Sequence, residues 1–208
     1  IKPLKSLNNL EERLRNIRYT FFEKVRSKYN ADYITTAHTL DDQAETVLMR
    51  IIRGAGLKGI SGMKPKSGFI IRPLLNVRRS DILSYLKSRN EKYRVDKTNF
   101  ESDFTRNKIR LWLIPQLEKK FNPQIKKTLA ELARIAGENQ QVIENTARKF
   151  RKKHPLIKIS SLMHLESALV NEIIFQEIEA TGRDLRNIES SHIREIFKIL
   201  KSTKSKKH

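Results

Sequence analysis

Tyr33-Ile34-Thr35-Thr36-Ala37-His38-Thr39-Leu40-Asp41-Asp42-Gln43-Ala44-Glu45-Thr46 changes its period once, at His38-Thr39, and the fold reading starts there. Tyr33–Ala37 is rich in β-branched residues and predicts a short buried strand. After Thr39 the apolar residues Ala44, Val47, Leu48, Ile51 and Ile52 recur at three- and four-residue intervals, which predicts a helix. Gly54 and Gly56 close that helix, because a terminus favours residues free to take positive φ. A strand feeding a helix belongs to α/β architecture, where ligands sit beyond the carboxyl ends of strands. At about 100° per residue, Asp42, Glu45, Thr46, Met49 and Arg53 lie opposite the apolar stripe. Two carboxylates one turn apart suit Mg²⁺ or a substrate ammonium. Residue by residue there are plainer readings. Asp41 or Asp42 could cap the helix, Glu45 could lie on the surface, and His38 could pack at the strand end.

Outward from this junction, residues 10–29 read as a helix through Leu10, Leu14, Ile17, Phe21, Phe22 and Val25. Phe69–Pro73 reads as a second short strand, 79–89 as a helix and Tyr93–Asn99 as irregular. From about Asn107 the pattern is helical, punctuated by Pro115, Pro123 and the Lys152–Pro155 break. Three portions follow: an α/β part over 1–76, a helical extension over 77–150, and a small helical module over 151–208. Two or three strands are fewer than the five or six of a typical sheet, so further strands are expected upstream of Ile1.

Composition sets the class of partner. The 208 residues carry 43 Lys+Arg against 23 Asp+Glu, a net charge of +20, and no cysteine. The missing cysteine excludes disulfide frameworks, thiolate metal sites and cysteine nucleophiles. With 38% apolar residues the chain can build a core, yet no run approaches the roughly 20 residues that span a bilayer. No leader-type segment follows Ile1, which sets a cytoplasmic expectation. Basic groups recur at Arg13/Arg15/Arg18, Arg78/Arg79, Lys119/Lys120, Lys126/Lys127, Arg148/Arg151/Lys152/Lys153 and Lys201–His208. Such a charge favours a structured nucleic acid over a plain basic surface.

His38-x-x-Asp41-Asp42-Gln43-x-Glu45-Thr46, followed by Arg50-x-x-Arg53-Gly54-Ala55-Gly56-Leu57-x-Gly59, resembles the PP-loop ATP pyrophosphatases, and within them the tRNA(Ile)-lysidine synthetase family. The resemblance runs on through Arg72-Pro73-Leu74-Leu75, Asp96-x-Thr98-Asn99 and Arg106-Asn107-x-Ile109-Arg110. It covers residues 7 to 118.

The resemblance implies the C-terminal part of a doubly wound parallel-sheet domain followed by helical regions. It implies a ligase that uses ATP and Mg²⁺ to adenylate the wobble cytidine of a tRNA(Ile) with a CAU anticodon, after which L-lysine displaces AMP. Carried onto matching positions, His38, Asp42 and Arg110 are catalytic, with Asp42 also the metal ligand. Arg18, Arg15, Glu45 and Arg53 attend the nucleotide or lysine. Arg106 and Asn107 sit at the site's edge toward RNA. Beyond the matched span, Lys126, Lys127 and Arg151 belong to the basic residues interleaved along the helical remainder, an outward face suited to tRNA phosphates. Guanidinium groups suit the negative charge that gathers on phosphates during adenylation.

The family's Ser-Gly-Gly-x-Asp-Ser loop is absent from these 208 residues. The expectation is therefore a fragment, inactive alone, with its C-terminal region also truncated. Another PP-loop tRNA-modifying enzyme and a non-catalytic basic RNA-binding remnant are the alternatives, and oligomeric state, a homodimer included, stays open.

Overall fold

The computed structural model describes residues 5–94 and 105–182, together with 192, 193, 195, 196, 198 and 199. The Asp96-x-Thr98-Asn99 block, most of the expected irregular segment, the Arg15 side chain, Lys201–His208 and most of the chain beyond 182 lie outside the described residues. The chain divides between Ile135 and Ala136 into two units.

The first unit begins with α1 (Lys5–Lys28) and a left-handed Asn30 at φ 48°. Its sheet has the order β1-β3-β2. β1 (Ile34–Thr35) pairs parallel with β3 (Ile70–Ile71), and β2 (Lys66–Ser67) pairs antiparallel with the other edge of β3. Among the described residues the sheet is therefore mixed rather than wholly parallel. β2 escapes the sequence reading because two exposed residues between Pro65 and Gly68 carry no period. The buried strand expected over 33–37 is also corrected. β1 is an edge strand here, so Tyr33 is 46% exposed and Ile34 only half-buried, while Ile70 on the central strand is 4% exposed.

α2 (Leu40–Ile52) starts at Thr39, not at either aspartate. The Asp42 N–H donates to Thr39 Oγ1, and Asp42 Oδ2 accepts from the Thr39 N–H at 2.9 Å, a reciprocal capping box. Gly54 at φ 75° then ends the helix, and α3 (Leu57–Ile60) follows. The next loop is held from α2: Gln43 bonds both the N–H and the carbonyl of Met63, and Arg50 Nη1 donates to the carbonyls of Gly59 and Gly62. Gly62, at φ 64°, has to be glycine, since a Cβ there would meet the Gln43 amide at 2.6 Å.

α4 (Arg79–Ser88) leads toward α5 (Thr105–Lys108), a π-helical turn (Ile109–Leu113) and α6 (Ile114–Lys120). Pro115 explains the wide turn. It has no N–H for the α-ladder and its ring crowds the preceding carbonyls, so the Ile114 N–H reaches back five residues to the Ile109 carbonyl. Ala44 and Val47 of α2 pack against Leu129 and Ala133 of α7 (Ile125–Lys153), with Leu48, Ile60 and Ile125 around them.

In the second unit, α7 from Ala136 onward meets α8 (Ile159–Leu162) and α9 (Ser167–Ala180). Its core is Ala147, Leu162, Val170, Ile173, Ile174 and Ile193. One polar network is buried with it. Glu172 accepts from Gln140 Nε2 and from Gln176 Nε2, each at 3.0 Å.

Candidate functional site

The strand-to-helix junction and the Arg106–Arg110 segment, more than 60 positions apart in sequence, converge on one cluster. Arg106 and Arg110 lie four residues apart, one turn, and therefore share a helical face. Arg106 Nε donates to Glu45 Oε2 at 2.9 Å, and its Nη2 to Asp42 Oδ1 at 3.0 Å. Arg110 Nε donates to Glu45 Oε1 at 2.5 Å, while its Nη2 reaches Glu45 Oε2 at 3.0 Å and Asp42 Oδ1 at 3.1 Å. Two carboxylates and two guanidinium groups thus form a charge-balanced quartet. Glu45 is sealed at 2% side-chain exposure, whereas Asp42, Arg110 and Arg106 keep 20%, 22% and 28%.

This geometry corrects two expectations. Glu45 is not the surface residue of the plainer reading, because the arginine-bearing segment covers it. The Asp42–Glu45 pair is not the free acidic cradle expected for Mg²⁺ or an ammonium, since both carboxylates are met by guanidinium groups. Burial raises the Asp42 pKa, but the two Thr39 hydrogen bonds and the charges of Arg106 and Arg110 outweigh it and hold the carboxyl below its usual range. Burial likewise opposes the charge on Arg110, and Glu45, Asp42 and Asp41 raise its pKa in spite of it.

Asp42 does not fit the role of a Mg²⁺ ligand in this arrangement. Its Oδ2 accepts from the Thr39 N–H and hydroxyl, and its Oδ1 from both guanidinium groups, so all four acceptor positions are taken. Among the described residues no group of three or more His, Asp or Glu side chains could hold a metal.

The other expected site residues are distributed more widely. His38 stands at the strand end beside the quartet's helix, with Nδ1 at 2.9 Å from Thr36 Oγ1. Asn107 is half-buried between the two arginines in sequence. Arg53 is exposed at the C-cap of α2, about 16 Å along the helix from Asp42. Arg18 is exposed on α1. Lys127 is exposed on α7, but Lys126 is committed to Asp41 at 3.1 Å and Glu118 at 3.2 Å, and Arg151 to Glu177. Sequence reasoning missed the role of Asp41, whose Oδ2 accepts the Arg79 N–H at the start of α4 while its Oδ1 holds Lys126. Only its place in an acidic pair at a helix start hinted at it.

A family model described as the PP-loop domain matches residues 2–117. A tRNA(Ile)-lysidine synthase of Clostridium acetobutylicum is 38% identical over 200 residues, covering 92% of this chain and 43% of that protein. One of Clostridium perfringens is 36% identical over 192 residues, covering 89% and 41%. One of Parabacteroides distasonis is 45% identical over 125 residues, covering 60% and 28%. The chain spans less than half the length of these curated relatives. A U34-tRNA thiolase of Methanococcus maripaludis overlays with a TM-score of 0.47 at 21% identity, over 60% of this chain and 43% of that one.

Proposed function

Because the chain belongs to the PP-loop domain family, we propose that it serves ATP-dependent formation of lysidine on the wobble cytidine of a tRNA(Ile). In this reading ATP adenylates the C2 carbonyl oxygen of the cytidine with release of pyrophosphate, and the lysine amine then displaces AMP. The names of the relatives support it. So does the convergence of the His38–Thr46 and Arg106–Arg110 blocks on one ion cluster, the observation that carries most weight.

Residues 1–76 would be part of a doubly wound nucleotide-binding domain, 77–150 its helical extension and 151–208 a tRNA-binding module. Arg110 and Arg106 offer donors where phosphate charge gathers. His38, at the strand end with Nδ1 set against Thr36, would serve to hold or move a proton. Asn107 and Lys127, with the basic surface around them, supply phosphate contacts to RNA. Lys126 and Arg151 share their charges with internal carboxylates and contribute less. Mg²⁺ would enter with the triphosphate as part of the substrate.

The test is incubation of protein expressed from the intact reading frame with ATP, radiolabelled lysine and a CAU-anticodon isoleucine tRNA. ATP-dependent label in the tRNA is expected. No label, or equal label in a tRNA lacking the wobble cytidine, overturns the reading.

A further inference from the structure

The quartet is more informative about how its arginines are held than about what its carboxylates bind. A guanidinium has five N–H donors. Arg106 spends its Nε and Nη2 groups on Glu45 and Asp42, and Arg110 does the same. Neither Nη1 group makes a hydrogen bond among the described residues. Both arginines keep about a quarter of their side-chain surface open, while Glu45 keeps almost none. A residue sealed under two guanidinium groups cannot reach a substrate without dismantling the cluster. Asp42, with every acceptor position filled, is equally closed to a cation.

We infer that Asp42 and Glu45 are positioning residues, which fix Arg106 and Arg110 so that their two Nη1 amino groups form a ready-made donor pair for a phosphate-class anion. Glu45 does this from beneath, as the buried counter-ion that sets the planes of both guanidinium forks. Asp42 does it from the first turn of α2, itself locked by the Thr39 capping box. The planar fork requires such support, because an arginine free to turn loses the geometry that distinguishes it from a lysine. The inference rests on the lysidine reading only for the identity of the anion. A failure to form lysidine would leave the arginine geometry, and the experiment below, untouched.

The test is ¹⁵N spectroscopy of the arginine side chains in the 208-residue chain, with inorganic pyrophosphate as the probe. Arg106→Lys and Arg110→Lys assign the two Nε–H signals. Slow-exchanging, sharp Nε–H signals are expected for both, together with saturable shifts of their Nη signals on adding pyrophosphate. Glu45→Gln should broaden the Arg110 Nε–H signal and weaken pyrophosphate about tenfold, and Glu45→Asp should restore the larger part of both. Sharp signals and undiminished pyrophosphate binding in a folded Glu45→Gln protein overturn the inference. A second measurement needs only the Asp42 side chain. Mn²⁺ added to the wild-type chain should give no saturable site that Asp42→Asn removes, and finding such a site makes Asp42 a cation ligand instead.

Discussion

Glu45 and Glu172 are both buried carboxylates on helices, at 2% and 7% exposure, and they are satisfied in opposite ways. Glu45 is met by two guanidinium groups from a segment more than 60 residues downstream. Glu172 is met by the amides of Gln140 and Gln176, neutral groups on its own unit's helices. An ion quartet concentrates charge and leaves donors at its rim, which suits a place where charged substrates arrive. A carboxylate held by amides ties two helices together at one register and offers nothing outward, which suits a scaffold.

The comparison breaks most visibly at Glu45. Glu45→Ala strands two partly buried guanidinium groups and should destabilise the first unit by about 3 kcal/mol. Trp112, the sole tryptophan, lies two residues beyond Arg110 and reports that loss as a fall in the denaturant midpoint. Glu172→Gln should cost less, about 1–2 kcal/mol. It turns one acceptor into a donor facing the amide of Gln140 or Gln176, and helical circular dichroism of the second unit would follow it.

Most of what made this legible was local. The period change at His38-Thr39, the apolar stripe of α2, its end at Gly54 and the helix over 79–88 all follow from residues within a few positions of one another. The hidden parts depended on distance. Nothing near Glu45 announces that Arg106 and Arg110 will cover it, so the helical wheel offered that face to a cation or an ammonium. Glu172 sits as one acid in an apolar run, Leu169, Val170, Ile173 and Ile174, and its two amide partners give no pattern of their own. Pro115 marks an interruption without revealing that the turn before it widens.

Smaller effects sharpen the contrast. Thr39→Ala removes the cap and one hydroxyl donor to Asp42, and should cost about 1 kcal/mol, read as a lower midpoint on the Trp112 signal. Asp42 has a folded pKa below its ordinary 3.8, so its contribution is complete above that value and disappears as pH falls through the depressed one. Stability of the first unit should therefore fall off on the acid side below about pH 4, and Asp42→Asn should flatten that slope. Lys126, raised above its ordinary 10.5 by Asp41 and Glu118 against the cost of burial, behaves in the opposite sense. Its contribution is full below that value and is lost as pH rises through the folded one. Lys126→Met should cost under about 1 kcal/mol at neutral pH, since the ammonium is still a third exposed.

The quartet stands or falls on whether its members act together, and a double-mutant cycle of Glu45→Gln with Arg110→Gln measures this through equilibrium unfolding followed at Trp112. A favourable coupling of at least about 1.5 kcal/mol is expected for a fork bonded to a buried carboxylate. Additive losses, with coupling near zero, would mean that Glu45 and Arg110 do not hold one another.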